Sequence, residues 1–181
     1  MNLNDVLHKK ILITIGIGVL FLTALHGCGK SANELYREGK NLIQNKETIA
    51  EGVKILKQYE KKYPKDSRTP EVVLALAMAY QGQKQYDEAV KTFNRLIEKY
   101  QGTPEAYKGL FLLGYMYYDE IKDNEKTVNI LKKFIETYPD SGLVTSAQAL
   151  IDNVGLPIEE WSVVQKIGLL NQPSDSLHTG K

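Results

Sequence analysis

Side chains able to do chemistry are few in this sequence and far apart. It has one cysteine, Cys28, and three histidines: His8 and His26 beside an apolar N-terminal run and His178 in a polar tail. A folded core without histidine or a second cysteine cannot build the usual metal site or an activated cysteine or serine nucleophile. The sequence therefore predicts no metal, no cofactor and no intrachain disulfide.

Two pairs of adjacent carboxylates, Asp119-Glu120 and Glu159-Glu160, are the remaining candidates for acid–base chemistry. Neighbouring residues on a helix point to different faces, so neither pair can act as a dyad through that spacing. The sequence has no glycine-rich phosphate loop, zinc-ligand spacing or nucleophile elbow. We therefore predict that the protein is not an enzyme and has no small-molecule substrate.

Composition excludes two further classes of protein. The chain has 181 residues, with 23 Lys and Arg against 22 Asp and Glu, and 43% of its residues are hydrophobic. A nucleic-acid-binding protein normally has a basic excess, so we predict no nucleic-acid partner. The apolar content is too high for a disordered chain.

Residues 1–27 have the order of a signal peptide. A basic stretch, His8-Lys9-Lys10, precedes the 15 uncharged residues from Ile11 to Leu25. That run fits the apolar region of a signal peptide better than a spanning helix, which needs about 20 residues. The alternative is an N-terminal membrane anchor that stays attached.

The segment Leu25-His26-Gly27-Cys28 resembles a bacterial lipobox, with Leu25 at −3, Gly27 at −1 and a departure at His26. This resemblance implies that the signal is cut before Cys28 and that Cys28 receives lipid. Acyl chains contribute about 0.8 kcal/mol per buried CH₂, so several chains anchor a domain firmly. Gly29 follows the cysteine, and by resemblance to such lipoproteins this implies a periplasm-facing position at the outer membrane.

The rest of the chain repeats with a period of 37–38 residues. Segments 51–56, 88–93 and 126–131 align at those two spacings. Two further sets of markers keep the same period: Tyr63-Pro64, Tyr100-Gln101 and Tyr138-Pro139, and upstream Gly39, Ala77 and Gly114. Apolar residues within each unit recur at helical spacing, so each unit is expected to form two helices.

These units resemble the tetratricopeptide repeat. The first helix of the second and third units has a small residue three positions before an aromatic, as in Ala77 with Tyr80 and Gly114 with Tyr117, and Gly39 with Leu42 takes this place in the first unit. The second helix has a small residue four positions before a large one, as in Ala89 with Phe93. The resemblance implies an all-α superhelical stack, in which Tyr80 and Tyr117 lie inside.

We predict the following domain organisation. Residues 1–27 are a lipoprotein signal peptide, and 28–139 hold three repeats at about 31–64, 69–101 and 104–139. Residues 140–169 form capping helices, needed because a repeat stack ends in an apolar face. The first is expected around Ala147 and Leu150, and the second around Trp161. Residues 170–181 are expected to be a disordered tail.

In tetratricopeptide stacks the first helix of each repeat lines a groove for a partner segment. The resemblance therefore implies a protein or peptide partner, and aromatic residues suit its capture. The alternative is that the aromatic residues pack against the capping helices. The groove residues implied are Tyr36, Lys40 and Ile43 in the first unit, Leu74, Met78 and Gln81 in the second, and Phe111, Tyr115 and Tyr118 in the third.

A run of five lysines, Lys54, Lys57, Lys61, Lys62 and Lys65, is the densest positive patch. Contact with phospholipid head groups or an anionic polymer is one interpretation. The interspersed Glu51 and Glu60 favour the other, a solvated outer face.

The sequence thus predicts a membrane-anchored periplasmic adaptor or scaffold that binds a protein in cell-envelope or outer-membrane-protein assembly. It resembles the repeat lipoprotein of the outer-membrane barrel-assembly machinery and the repeat domain of the Tol-Pal coordinator. Alternatives are a structural spacer and a peptidoglycan-associated platform without its own catalysis. An enzyme acting on peptidoglycan would need a catalytic module, for which the repeats leave no room.

Overall fold

The computed structural model describes residues 29–157 and residue 160. The predicted signal peptide, Cys28, Trp161 and the tail lie outside the described residues. Within the described part the secondary structure is helical, with seven α-helices and a π-helical turn, Tyr117–Ile121. The α-helices are α1 (Ala32–Leu42), α2 (Ile49–Lys62), α3 (Thr69–Gly82), α4 (Tyr86–Lys99), α5 (Pro104–Met116), α6 (Asn124–Thr137) and α7 (Val144–Asp152).

The predicted all-α stack of helix-turn-helix repeats is confirmed. The helices pair as α1 with α2, α3 with α4 and α5 with α6. Each pair also contacts the next, because α2 packs on α3 and α4 packs on α5. The first helices of the second and third pairs, α3 and α5, contact each other directly. This puts the first helices of successive repeats side by side.

Chain contacts divide the protein into residues 1–34 and residues 35–181. In the described part of the first unit, Ser31 and Glu34 form a capping box. The Ser31 backbone N–H donates to Glu34 Oε2 (2.7 Å), and the Glu34 N–H donates to Ser31 Oγ (3.3 Å). These bonds satisfy backbone donors that the start of a helix leaves without partners.

In the second unit, small residues let the two helices of a repeat approach closely. A Cβ atom on Gly114 would lie 2.6 Å from Leu131 Cδ2, too close for a real contact. Gly39 faces Leu56 in the same way in the first repeat. The small residue implied by the repeat pattern is therefore needed for packing.

The core runs through all three repeats. The predicted interior positions of Tyr80 and Tyr117 are confirmed, with 9% and 8% of their surface exposed. A C-terminal cluster joins α5, α6 and α7, and among its buried residues are Leu131, Phe134 and Leu150. In the described residues no helix is long and apolar enough to cross a membrane.

The turns between paired helices differ between repeats. In the second repeat the chain turns at Lys84, which has a left-handed backbone (φ 59°). In the third, α5 widens into the π-helical turn 117–121 and the chain turns at Lys122 (φ 62°). From Ala77 to Glu88 is 11 residues, whereas from Gly114 to Lys126 is 12. The π turn accommodates this additional residue.

Candidate partner-binding face

The predicted groove residues lie on or directly after the first helices of the repeats. Helix α1 carries Tyr36 and Lys40, and Ile43 follows its last residue. The other residues belong to α3, to α5 and to the π turn: Leu74, Met78 and Gln81, then Phe111 and Tyr115, then Tyr118.

A hollow of about 360 Å³ opens between α1 and α3. Four of the predicted residues line it: Lys40, Ile43, Leu74 and Met78. The Met78 side chain is 50% exposed, which is unusual for a large apolar residue. Apolar walls with a few polar groups at the edge are what a ligand site needs. Further lining residues that the sequence did not indicate are Gln44, Ile49, Glu71, Ala75, Ala79 and Gly82.

Glu71 organises the edge of this hollow. Its carboxylate accepts hydrogen bonds from Tyr36 Oη (2.7 Å) and Lys40 Nζ (2.8 Å). Burial opposes ionisation of Glu71, but the bonds from Lys40 and Tyr36 outweigh it and lower the Glu71 pKa. Burial, followed by the bond to Glu71, raises the pKa of Tyr36 to about 12. Tyr36 and Lys40 therefore already have partners inside the protein.

A second polar group lies beneath Tyr36. The Arg68 guanidinium is 5.1 Å from the Tyr36 ring centroid, within range of a cation–π contact. Arg68 also donates to Asp66 through Nε (3.0 Å) and Nη2 (2.8 Å). These bonds hold the Asp66 pKa well below its usual range. Arg68 and Asp66 thus fix the position of the Tyr36 ring.

Gln81 joins the second repeat to the third. Its Nε2 donates to Glu120 Oε1 at 2.5 Å, and Glu120 lies in the π turn. The hydrogen bond to Glu120 also raises the pKa of Tyr86. Asp119, next to Glu120, instead forms a long ion pair with Lys122 (3.7 Å). Adjacent carboxylates 119 and 120 therefore have separate partners.

The three aromatic residues of the third repeat differ in exposure. Tyr115 is 38% exposed, and its ring centroid is 6.4 Å from that of Tyr118. Phe111 and Tyr118 are partly buried and pack against the C-terminal cluster. The Phe111 ring meets Phe134 edge-on at 5.5 Å. Phe111 and Tyr118 therefore support α6 and α7, and Tyr115 is left on the surface.

The five lysines of the sequence run are all exposed. They belong to α2 and the segment after it, on a different helix of the first repeat from Tyr36 and Lys40. In residues 29–157 and 160, no group of three or more His, Cys, Asp and Glu side chains is arranged to hold a metal.

One family model matches most of this structure. The model of the YfiO family, described as an outer membrane lipoprotein, matches residues 29–155. That range is more than two thirds of the chain and includes α1 through α7. No curated protein matches the chain.

Proposed function

Because the chain belongs to the YfiO family of outer membrane lipoproteins, we propose that it is a non-catalytic adaptor of the bacterial envelope. It is anchored through lipid on Cys28 after removal of residues 1–27, and it faces the periplasm. Its first helices bind a protein or peptide partner, in cell-envelope or outer-membrane-protein assembly.

The exposed apolar side chains carry this proposal. Three large hydrophobic residues are exposed in the described part of the chain: Met78, Tyr115 and Leu156. Two of them, Met78 and Tyr115, are on α3 and α5, the helices that contact each other. Exposed methionine and tyrosine are common at binding surfaces because they bury much apolar area and adapt to a partner.

The hollow beside Met78 suits an apolar side chain of the partner. Leu74 and Ile43 provide an apolar wall. Lys40 lies at the edge of the hollow, where it forms an ion pair with Glu71. The Lys40 and Glu71 side chains are 33% and 38% exposed, so a partner can approach both. We propose that Tyr36 positions Glu71 and that Gln81 positions Glu120, whereas Met78 and Tyr115 contribute most of the binding energy.

A structural spacer is the alternative function. The internal bonds of Lys40, Tyr36 and Gln81 support it, because these groups already have partners. The two functions differ in what loss of Met78 and Tyr115 would do. A spacer needs only a stable stack, whereas an adaptor needs the exposed side chains themselves.

The experiment compares partner recovery for three forms of the tagged full-length protein, purified from detergent-solubilised membranes. They are the wild type, the double variant Met78→Ala/Tyr115→Ala and the matched control Leu156→Ala. We expect the double variant to lose about tenfold in recovery of its envelope partner, as for residues that dominate an interface. Leu156→Ala should recover as much as the wild type.

Equal recovery of a partner by all three forms would reject Met78 and Tyr115 as its binding residues, whereas recovery of no partner, even by the wild type, would favour the spacer. Circular dichroism of the purified variants separates loss of binding from loss of folding. The substituted side chains are half-exposed or nearly so, and therefore the helical signal should be unchanged.

A further inference from the structure

The C-terminal turns of α2 and α4 form a positively charged surface. Lys57, Lys61 and Lys99 line one hollow of about 510 Å³ together with Gln58, Glu60 and Pro64. Glu60 is ion-paired with Arg95, so its charge is already offset. Among the described residues, no acidic side chain pairs with the three lysines of the hollow. Lys62 and Lys65 extend the same end of α2, and we call these five residues the lysine surface.

Helix dipoles account for only part of this pattern. A basic residue in the last turn of a helix is stabilised by the carbonyl groups there, which explains Lys61, Lys62 and Lys99. Lys57 lies before the last turn of α2, and Lys65 lies beyond its end. Like charges gathered at one place repel, so this concentration indicates an anionic counterpart.

Chain connectivity limits the distance between this surface and the proposed anchor. Tyr36 on α1 contacts Tyr59 on α2, with ring centroids 6.1 Å apart, and Tyr59 contacts Tyr63 at 5.5 Å. Tyr36 thus lies beside the end of α2 that carries the lysines. Tyr36 is eight residues after Cys28, and eight residues span at most about 29 Å.

We infer that the lysine surface binds the anionic phospholipid head groups of the membrane in which the protein is anchored. The inference rests on the proposed anchor at Cys28. The lipid on Cys28 would hold the protein at the bilayer, so contact of the lysine surface with the same bilayer would be intramolecular. A few lysines would then suffice, although they would bind too weakly without the lipid. Contact of lysines with an anionic bilayer is electrostatic and is therefore lost at high salt. The lipids would fix the orientation of the repeats over the bilayer.

The experiment measures lysine reactivity on the full processed protein. The protein is placed in nanodiscs of phosphatidylcholine alone, or of equal parts phosphatidylcholine and phosphatidylglycerol, and treated with an amine acylating reagent. Mass spectrometry then gives the reactivity of each lysine. Internal controls are Lys46 and Lys84, which are exposed in the turns at the other ends of these helix pairs.

We expect Lys57, Lys61 and Lys99 to react about threefold more slowly in the anionic nanodiscs. In about 1 M NaCl, where the screening length is about 3 Å, their reactivity should recover. Lys46 and Lys84 should react alike in both lipids. A variant K57Q/K61Q/K99Q should also remove the protection of Lys62 and Lys65, whereas K46Q/K84Q should preserve it.

Two results would overturn the inference. One is equal protection of the lysine surface and the two control lysines. The other is protection by inorganic phosphate in neutral nanodiscs, which would indicate a site for small anions. Failure of the anchor is a separate result: an unlipidated protein would not stay with neutral nanodiscs, whatever its lysines do in anionic ones.

Discussion

At the scale of single residues, the edge of the α1–α3 hollow depends on bonds between consecutive repeats. Glu71 joins Tyr36 and Lys40 across more than 30 residues of sequence. The resemblance to the tetratricopeptide repeat placed Tyr36 and Lys40 on the first helix, and both lie on α1. It did not identify Glu71 or Arg68. No local sequence pattern links residues so far apart. The repeat period indicates only that consecutive repeats pack together, and it does not say which side chains meet.

Tyr36 should make the protein sensitive to alkaline pH. Its phenol ionises near pH 10 when unfolded, but burial and Glu71 raise the folded pKa to about 12. Between these values the unfolded state loses its proton first, so the free energy of unfolding falls as pH rises. Tyr36→Phe should therefore reduce the alkaline loss of stability, measured as urea midpoints at intervals between about pH 9 and pH 11.5.

The change with pH is the readout, because Tyr36→Phe also removes a hydrogen bond at every pH. That loss should lower stability by about 1 kcal/mol at neutral pH. If both proteins lost the same stability on the way to alkaline pH, Tyr36 would not be the group responsible.

At the scale of the elements, close helix pairing depends on the smallest side chains. Gly114 has no room for a methyl group against Leu131, which is fully buried. Helical spacing and recurring small residues were enough to predict the repeats as helix pairs. The π turn was not predicted, because one additional residue looks the same in sequence whether a loop or a helix absorbs it.

Gly114→Ala should destabilise the third repeat by about 1–3 kcal/mol, because the new methyl group overpacks the contact with Leu131. Thermal unfolding and urea unfolding followed by circular dichroism measure the change. Gly142→Ala is the matched control, since a Cβ there meets nothing within 4 Å. The control should be neutral or stabilise by up to about 1 kcal/mol. Equal melting temperatures for the two variants would contradict the packing explanation.

At the scale of the whole molecule, membership in a family of outer membrane lipoproteins supports a place in the cell envelope, and the described structure shows the repeats. The proposed lipid on Cys28 would attach these repeats to the membrane. The order of apolar run, Gly27 and Cys28 predicts a lipoprotein from the sequence alone. The sequence also placed the predicted groove residues on the first helices of the repeats or directly after them. It could not separate exposed Tyr115 from partly buried Phe111 and Tyr118, because aromatic residues at helical spacing suit a core and a surface equally.

Cys28→Ser should abolish lipidation in cells. Growth with an alkyne-bearing fatty acid, followed by purification and fluorescent coupling, should label the wild-type protein and leave the variant unlabelled. The mass of the N-terminal peptide gives a second readout, because the processed chain begins at Cys28 and the unprocessed variant at Met1. A labelled Cys28→Ser protein would place the lipid elsewhere and reject this anchor.

The π-helical turn has a consequence for how one repeat can gain or lose a residue. Each residue added to an ordinary α-helix rotates everything after it by about 100° around the axis, so an insertion would turn buried side chains outward. A turn that widens by one residue absorbs the addition within 117–121, before α6 begins at Asn124. Repeats of unequal length can therefore share one stack. Deletion of a residue within 117–121 should accordingly restore a regular helix and leave the helices on either side in place.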